Sequence, residues 1–296
     1  MELDAHQVRL IVTAALNEDL GSGGDVTTAA VVEPTQRGKA TLVSRCRGVV
    51  AGVGVALQVF RHLDPDLEVV STMADGDRLV AGSAILGLAG RAAALLTAER
   101  VALNFLQRLS GIATLTAAFV ERLAGTGCVV LDTRKTTPLL RPLERHAVRV
   151  AGGQNHRFGL FDAMMLKDNH FDLAARAGSE AADYRQVVET ALRRRPAGML
   201  LHVEARNPEE ARAATAAGAD IVLLDNMTLK QLSQAVSEAR HAAGRAGRRV
   251  LLEASGGITL ENVAAVAATG VDRVSVGALT HSAPALDIAM DLEPLP

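Results

Sequence analysis

The spacing of apolar residues divides the chain into two parts. Up to about residue 124, helical spacing alternates with short apolar runs that Gly, Asp and Pro separate. After about residue 128, apolar runs typical of strands alternate with Ala-rich segments of helical period. A strand followed by a helix, repeated along the chain, indicates a parallel sheet with right-handed crossovers. The second part is therefore predicted to be an α/β domain.

The first part is predicted to contain both helices and antiparallel strands. Helical periodicity predicts helices over 2–20, over 53–62 and over 92–124, the last with a candidate break at Ser110-Gly111. Four short apolar runs bounded by turn residues predict antiparallel strands. They lie at 40–43, 49–51, 67–70 and 84–88.

The second part carries polar residues directly after its apolar runs. The runs lie at 129–131, 163–166, 199–203, 221–224, 250–252 and 274–276, with later helices predicted at 208–217, 228–243 and 259–268. Both a β/α barrel and a doubly wound sheet bind ligands at the carboxyl ends of their strands. We therefore expect a site there, although helix capping is an alternative reading of Asp225-Asn226.

Composition excludes several classes of protein. The 296 residues are 49% hydrophobic and carry a net charge of -2, which excludes a disordered chain and disfavours a DNA-binding protein. Aromatic residues make up 2%, too few for base stacking on nucleic acid. Cys46 and Cys128 are far apart, and the first ten residues lack a signal pattern. With no apolar run of about 18 residues, we expect a cytoplasmic protein with no membrane partner.

The stretch 132–170 is rich in basic residues, seven Arg and Lys against four Asp and Glu. Arg141, Arg145 and Arg149 recur every four residues, which is typical of a solvated helix face. The remaining basic residues of interest fall at turns and strand ends, where an anionic ligand would bind. They are Arg134, Lys135, His156, Arg157 and Lys167.

Two carboxylates, Glu204 and Asp225, follow neighbouring runs. Side by side they could hold Mg²⁺ through water, bind ribose hydroxyls, or act as an acid–base pair as in a glycosidase. The positive charge nearby favours a polyanionic substrate over a sugar chain.

Two glycine-containing loops follow the last two runs. Ser255, Gly256 and Gly257 come after one run, and Gly277 comes after the next. Barrels commonly bind phosphate in the loops after their final strands, where Gly lets backbone N–H groups approach the anion. We expect a phosphorylated substrate.

A set of motifs resembles the quinolinate phosphoribosyltransferase family, also called carboxylating nicotinate-nucleotide pyrophosphorylase. The resemblance runs from about residue 15 to 292. It rests on GDVTT (24–28), ERVALNFLQRLSGIAT (99–114), DTRKTTP (132–138), GGQNHRFGLFD (152–162), KDNH (167–170), LLDN (223–226), SGGI (255–258) and VGALTHS (276–282).

The resemblance implies a type II phosphoribosyltransferase fold: an N-terminal α/β sandwich domain and an open, seven-stranded β/α barrel. We predict the first domain over 1–110, joined by the C-terminal segment 280–296, and the barrel over 111–279. A homodimer with shared active sites is implied, with a hexamer as a further assembly. The implied Mg²⁺-dependent reaction converts quinolinate and 5-phosphoribosyl-1-diphosphate into nicotinate mononucleotide, CO₂ and diphosphate, in NAD biosynthesis.

The resemblance also implies a role for each site residue. Arg134, His156 and Arg157 match the positions that hold the quinolinate carboxylates. Lys167 matches a substrate contact near the reacting centre, Lys135 a diphosphate-side lysine, and Arg100 an arginine donated across the dimer. Glu204 and Asp225 match the ribose and Mg²⁺ carboxylates, and Ser255, Gly256, Gly257 and Gly277 match the 5-phosphate loops.

This chain departs from the family at two positions. Leu139 stands where the family often has Gly, and Ala151 stands where many members have a third Gly. Three alternatives share some of these motifs: a paralogue of molybdenum operons that acts on another anionic acceptor, a nicotinate-using phosphoribosyltransferase, and a non-catalytic phosphate-binding barrel.

Overall fold

The computed structural model describes residues 3–176 and 184–295. The helices are α1 Ala5–Leu20, α2 Val26–Val31, α3 Val53–Leu63, α4 Ala92–Leu123, α5 Arg141–Val150, α6 Asp168–Arg176, α7 Tyr184–Arg194, α8 Pro208–Ala217, α9 Leu229–Arg245, α10 Val263–Ala267 and α11 Ala278–His281. The strands are β1 Arg37–Ser44, β2 Gly48–Val49, β3 Glu68–Thr72, β4 Arg78–Leu79, β5 Ala84–Arg91, β6 Val129–Leu131, β7 Met164–Leu166, β8 Leu201–Ala205, β9 Ile221–Asp225, β10 Leu251–Ser255, β11 Arg273–Ser275 and β12 Ile288–Pro294.

The chain forms two compact units. One contains Met1–Ala117, Lys135–Gly152 and Ala278–Pro296, and the other contains Ala118–Arg134 and Gly153–Gly277. The largest difference from the predicted domains is Lys135–Gly152, which belongs with the N-terminal residues, and residues 111–117 and 278–279 do so as well. Two buried contacts of α5 explain the difference: Glu144 accepts hydrogen bonds from Arg108, and His146 Nε2 lies 2.7 Å from Asp75 Oδ2.

The first unit is built on a four-stranded sheet in the order β12-β1-β5-β3, and β2 pairs with β4. All pairs of this sheet are antiparallel, as the apolar runs predicted. Six consecutive positions of β5, from Ile85 to Gly90, are buried, because this strand lies between β1 and β3. The C-terminal β12 pairs with β1 along its whole length, so the end of the chain forms an edge strand of this sheet.

The predicted break in the long helix is wrong, since α4 runs unbroken through Ser110 and Gly111. Both residues serve packing instead. A Cβ at position 111 would lie 2.0 Å from the carbonyl oxygen of Pro284, so only glycine lets that segment approach the helix. The buried Ser110 hydroxyl accepts the backbone N–H of Ala51 at 3.1 Å.

The second unit contains a parallel sheet in the order β6-β11-β10-β9-β8-β7. All six apolar runs of this part form strands, as predicted. The seventh strand of the expected barrel is reduced, in the described residues, to one parallel bridge between Leu131 and Gln154 beside β6. No helix of the described residues has the length and hydropathy that a membrane span requires.

Candidate active site

Polar side chains and glycines collect at the carboxyl edge of the parallel sheet. Apart from His156 and Arg157, which lie between β6 and β7, the predicted site residues of this unit lie at the end of a strand or in the turn that follows it. The set comprises Arg134 after β6, Lys167 after β7, Glu204 in β8, Asp225 ending β9, Ser255 ending β10 and Gly277 after β11. Parallel pairing brings these positions to one edge, which is where α/β sheets bind ligands.

Asp132 fixes the turn that carries His156. Its fully buried carboxylate accepts the side-chain amide of Asn155 at 2.6 Å and the backbone N–H of His156 at 2.8 Å. The backbone N–H of Asp132 in turn donates to the carbonyl of Gln154. A buried carboxylate with such donors holds the turn rigidly against β6.

Arg157 and Arg134 are held close enough for their charges to repel. Burial lowers the pKa of Arg157, and the charge of Arg134 lowers it further. Arg157 Nη1 also donates to the carbonyl oxygen of Ala163 at 2.8 Å, which orients the guanidinium. Two fixed guanidinium groups at a sheet edge form a site suited to a carboxylate-bearing anion.

Both ring nitrogens of His156 face groups of the protein. Nδ1 accepts the backbone N–H of Arg157 at 2.7 Å, and Nε2 lies 3.3 Å from Glu253 Oε1. The His156 side chain is 8% exposed and Glu253 is fully buried. The ring of His202 packs beside that of His156, with centroids 4.9 Å apart.

The buried residues Glu253 and His202 differ in their charge. Burial alone would raise the pKa of Glu253, but the facing His156, with His202 beside it, holds that pKa below its usual range. Burial lowers the pKa of His202 to about 4, and the neighbouring His156 lowers it further. His202 is therefore neutral at pH 7, and Glu253 is ionised.

One basic and two acidic side chains lie together at the carboxyl edge of the parallel sheet: Lys167, Glu204 and Asp225. Lys167 Nζ lies 3.6 Å from Glu204 Oε2. Burial raises the pKa of Glu204, Lys167 opposes that shift, and the charge of Asp225 raises the pKa again. The two carboxylates are thus close enough to interact, as expected for neighbouring strands in register.

The backbone of Glu204 is supported by Tyr184. The Tyr184 hydroxyl donates to the carbonyl oxygen of Glu204 at 2.6 Å, and its ring stacks on Phe171 at 4.3 Å. The stack joins α6 and α7 to β8, so the carboxylate of Glu204 extends from a well-supported strand.

Capping does not explain Asp225-Asn226. The N-cap of α9 is Thr228, which forms a capping box with Gln231. Asn226 instead adopts a left-handed backbone with φ of 52°, donates to Asp225 Oδ2 at 2.7 Å, and its N–H bonds the Ser255 carbonyl. The pair is therefore available to orient a ligand.

The loop after β10 requires glycine. Gly256 has φ of 90°, and a Cβ there would lie 2.1 Å from Asn226 Oδ1. Gly257 has φ of 61° with open space where a Cβ would point, and its carbonyl accepts Asn262 Nδ2 at 2.9 Å. The loop is thus ordered by Asn262 while the face of Gly257 stays open.

Two predicted site residues belong to the other unit. Arg100 lies on α4 with 62% of its side chain exposed, 4.0 Å from Glu99 Oε1. Lys135 directly follows Arg134 in the chain, is exposed, and its carbonyl accepts the Thr280 hydroxyl at 2.9 Å. Within that unit, buried Glu144 accepts both the N–H and the hydroxyl of Thr137, which shapes the turn after Lys135.

Comparison with known proteins identifies the family. Residues 25–110 match the family model described as quinolinate phosphoribosyl transferase, N-terminal domain, and residues 112–291 match the C-terminal domain model. The chain belongs to the quinolinate phosphoribosyl transferase family.

Individual relatives of this family match almost the whole chain. The nicotinate-nucleotide pyrophosphorylase [carboxylating] of Mycobacterium leprae is 43% identical over 98% of this chain and 98% of its own length. The probable enzyme of that name in Bacillus subtilis is 41% identical, covering 97% and 93%. The crystal structure of NadC from Streptococcus pyogenes superposes with a TM-score of 0.90 at 40% identity, with both chains fully covered.

The two departures from the family pattern have different consequences. Leu139 has φ of 67° and is 86% exposed, so a leucine occupies a left-handed position that favours glycine. Ala151 has φ of -89° and ψ of 6°, which alanine adopts without strain. The glycine that this turn requires is Gly152, with φ of 90°.

Sequence reasoning gave no site role to four residues that shape the edge: Asp132, His202, Asn226 and Glu253. Asp132, Asn226 and Glu253 were visible as polar residues at strand ends, but each has a partner 20 or more residues away in the chain. His202 gave a weaker signal, a lone histidine within an apolar run.

Proposed function

We propose that the protein catalyses transfer of the phosphoribosyl group from 5-phosphoribosyl-1-diphosphate to quinolinate, with loss of CO₂, to form nicotinate mononucleotide and diphosphate. The observation that carries the proposal is the Arg157 guanidinium, which the carbonyl oxygen of Ala163 orients at 2.8 Å and whose pKa is lowered by burial and by the charge of the nearby Arg134. This pair of guanidinium groups is stabilised by a ligand with two carboxylates. Membership of the family and the printed names of its relatives support the same substrate.

Quinolinate binding would neutralise the Arg134–Arg157 pair. Each planar guanidinium can bind a carboxylate through two hydrogen bonds, which fixes the plane of the pyridine ring. A monocarboxylate such as nicotinate would leave part of this charge uncompensated. The paralogue that acts on another acceptor is disfavoured because Arg134, His156 and Arg157 are all present.

Glu204 and Asp225 would act beside the ribose. The pyridine nitrogen donates its lone pair to C1 of the ribose while the bond from C1 to the diphosphate oxygen breaks. Positive charge develops on the ribose in the transition state, and a buried carboxylate stabilises it. Lys167 favours the ionised form of Glu204 by opposing part of the rise in pKa that burial causes.

The same two carboxylates fit Mg²⁺. They are hard oxygen ligands. Burial raises the pKa of Glu204, and the charge of Asp225 raises it further, which shows that the two carboxylates interact. Mg²⁺ bound near them through water would stabilise the negative charge of the leaving diphosphate. Lys135 would bind diphosphate on its other side.

The loops after β10 and β11 would bind the 5-phosphate. Ser255 offers a hydroxyl, and Gly256, Gly257 and Gly277 let the backbone approach the anion. The open space beside Gly257 supports this assignment.

Loss of CO₂ would follow ring-nitrogen alkylation. The bond from C2 to its carboxylate breaks, the electron pair stays on C2, and the adjacent pyridinium charge stabilises it until a proton adds. The protein supplies position and charge, and no covalent nucleophile is required.

A homodimer with shared sites is part of the proposal. Arg100 is exposed on α4, as an arginine donated to a partner subunit would be. Mixing inactive Arg100→Ala subunits with inactive Lys167→Ala subunits should restore activity, since half of the sites in a heterodimer would be intact. Inactive heterodimers, once their formation is demonstrated, would refute sharing.

The direct test is an assay with purified protein, Mg²⁺, phosphoribosyl diphosphate and either quinolinate or nicotinate. Nicotinate mononucleotide from quinolinate alone is the expected product. Product from nicotinate alone would mean that the second-carboxylate contacts are misassigned, and no product from either would favour another acceptor.

A further inference from the structure

His202 and Glu253 are two buried groups beside His156 that have no part in the reaction proposed above. His156, His202 and Glu253 offer ligand-type atoms within 4.8 Å of one another. Glu253 is fully buried on β10, and His202 is 4% exposed on β8. Burying a carboxylate costs several kcal/mol unless it is paired, so its position calls for a reason.

A metal ion does not fit this group. Nδ1 of His156 accepts the N–H of Arg157, so the neutral ring carries its proton on Nε2, the atom that faces Glu253. A protonated nitrogen cannot ligate a metal. Arg273 Nη1 also lies 3.9 Å from Glu253 Oε2 and already supplies positive charge.

One hydrogen bond and one close contact form a chain from Arg157 through His156 to Glu253: Nδ1 accepts the Arg157 N–H at 2.7 Å, and Nε2 lies 3.3 Å from Glu253 Oε1. We propose that Glu253 is a positioning residue: its negative charge favours a proton on the facing Nε2 of His156 and so fixes the tautomer whose Nδ1 holds the peptide of Arg157, and thereby the guanidinium that binds substrate. A carboxylate only accepts hydrogen bonds, so it permits one tautomer, whereas an amide permits both.

Asp132 completes the arrangement from the opposite side. It accepts the backbone N–H of His156, while His156 accepts that of Arg157. Two successive peptide groups are thus fixed by two buried carboxylates, one directly and one through an imidazole. The inference rests on the proposed function because it assigns the chain to binding of the dicarboxylate.

The tautomer can be read without any substrate. In protein labelled with ¹⁵N histidine, long-range ¹H–¹⁵N spectra should show Nδ1 of His156 unprotonated and Nε2 protonated. In the isosteric variant Glu253→Gln the two forms should mix. A proton on Nδ1 in the unsubstituted protein would overturn the proposal, whether or not any variant folds.

Kinetics separate positioning from general packing. Glu253→Gln should raise the KM for quinolinate about tenfold, because the tautomer that orients Arg157 is no longer fixed. The kcat and the KM for phosphoribosyl diphosphate should change less than about twofold. The matched control is Asp272→Asn, a carboxylate of the same sheet that binds Arg240 and Leu252 at the amino end of β11. An unchanged KM for quinolinate in Glu253→Gln would contradict the proposal.

A double-mutant cycle tests whether Glu253 acts through His156. His156→Asn places an amide oxygen near the Nδ1 position, where it accepts the Arg157 N–H without help. Glu253→Gln should then have less than about a twofold further effect. Equal effects in both backgrounds would refute the chain. If the unsubstituted protein neither binds nor converts quinolinate, the proposed function fails, and the tautomer measurement still decides the positioning.

Discussion

Lys167 Nζ lies 3.6 Å from Glu204 Oε2, and the two residues differ sharply in exposure, at 49% for Lys167 and 7% for Glu204. Burial of the carboxylate raises the pKa of Glu204, and the ammonium group opposes that shift. The pair therefore determines the protonation state of a carboxylate at the proposed reacting centre.

Removing the ammonium group should shift the titration of Glu204. In Lys167→Met the pKa of Glu204 rises further, because burial and Asp225 both raise it and the opposing charge is gone. The shift is read from the side-chain carboxyl of Glu204 by ¹³C NMR, a measurement that requires no activity of the variant. Lys167→Arg, which keeps the charge, is the control, and an unshifted titration midpoint in Lys167→Met would contradict the assignment.

Replacing Arg157 should affect quinolinate selectively. Arg157→Lys loses the planar fork and should lower kcat/KM for quinolinate by about ten- to a hundredfold, corresponding to about 1.5–3 kcal/mol for a hydrogen bond to a charged group. The KM for phosphoribosyl diphosphate should stay unchanged. Arg212→Lys, on the exposed side of α8, is the control. Equal losses for both substrates would argue for a structural role.

The loop after β10 should tolerate no side chain at position 256. In Gly256→Ala the new Cβ meets Asn226 Oδ1 at 2.1 Å, so Asn226 and the Asp225 carboxylate that it orients must move. We expect kcat/KM to fall at least about tenfold, as displacement of positioned groups does. Gly247→Ala has a similar left-handed φ, 61°, but open space, and it controls for backbone strain alone. Equal activities in the two variants would contradict the proposal that a Cβ at position 256 displaces Asn226 and Asp225.

Substitution by glycine should have opposite effects on stability at positions 139 and 151. Leu139→Gly relieves a left-handed leucine, worth about 1–2 kcal/mol, and loses about 0.5–1 kcal/mol to chain entropy, so it should stabilise the protein. Ala151→Gly relieves nothing and should destabilise it by about 0.5–1 kcal/mol. Thermal unfolding of both variants at one protein concentration measures the difference, and a Leu139→Gly melting temperature below that of Ala151→Gly would be the opposite result.

Buried His202 should make the protein sensitive to acid. Its pKa is about 4 in the folded protein and 6.5 for the model group, so the unfolded chain binds more protons between these values. Stability should therefore fall as pH drops from about 6.5 towards 4, by on the order of 2 kcal/mol at pH 5. Denaturant unfolding of the protein and of His202→Gln at pH 7 and 5 tests this, and the same pH dependence in both would exclude His202 as its source.

Local pattern was enough to predict the strands. All six apolar runs of the second part became strands of one parallel sheet, because a buried parallel strand needs a continuous apolar segment. Local pattern was not enough for Ser110-Gly111. Gly111 is required by the close approach of Pro284, which is distant in the chain. In the sequence, a glycine that ends a helix cannot be distinguished from a glycine that lets another segment pack closely against the helix.

Some residues of the candidate site could also be predicted from local pattern, and others could not. Charged residues at strand ends, such as Lys167 and Glu204, were visible because charge in such places is unusual. Glu253 and Asp132 act through Asn155 and His156, which lie in a turn distant in the chain from Glu253, and the Gly256–Asn226 contact joins two loops. Such pairings depend on strand order and register, which the local pattern does not contain.

The central claim is most directly tested with quinolinate carrying ¹⁴C in its 2-carboxylate. We predict release of labelled CO₂ in equal amount to nicotinate mononucleotide, and only when phosphoribosyl diphosphate is present. Nucleotide that retains the label, or label released without phosphoribosyl diphosphate, would contradict the account.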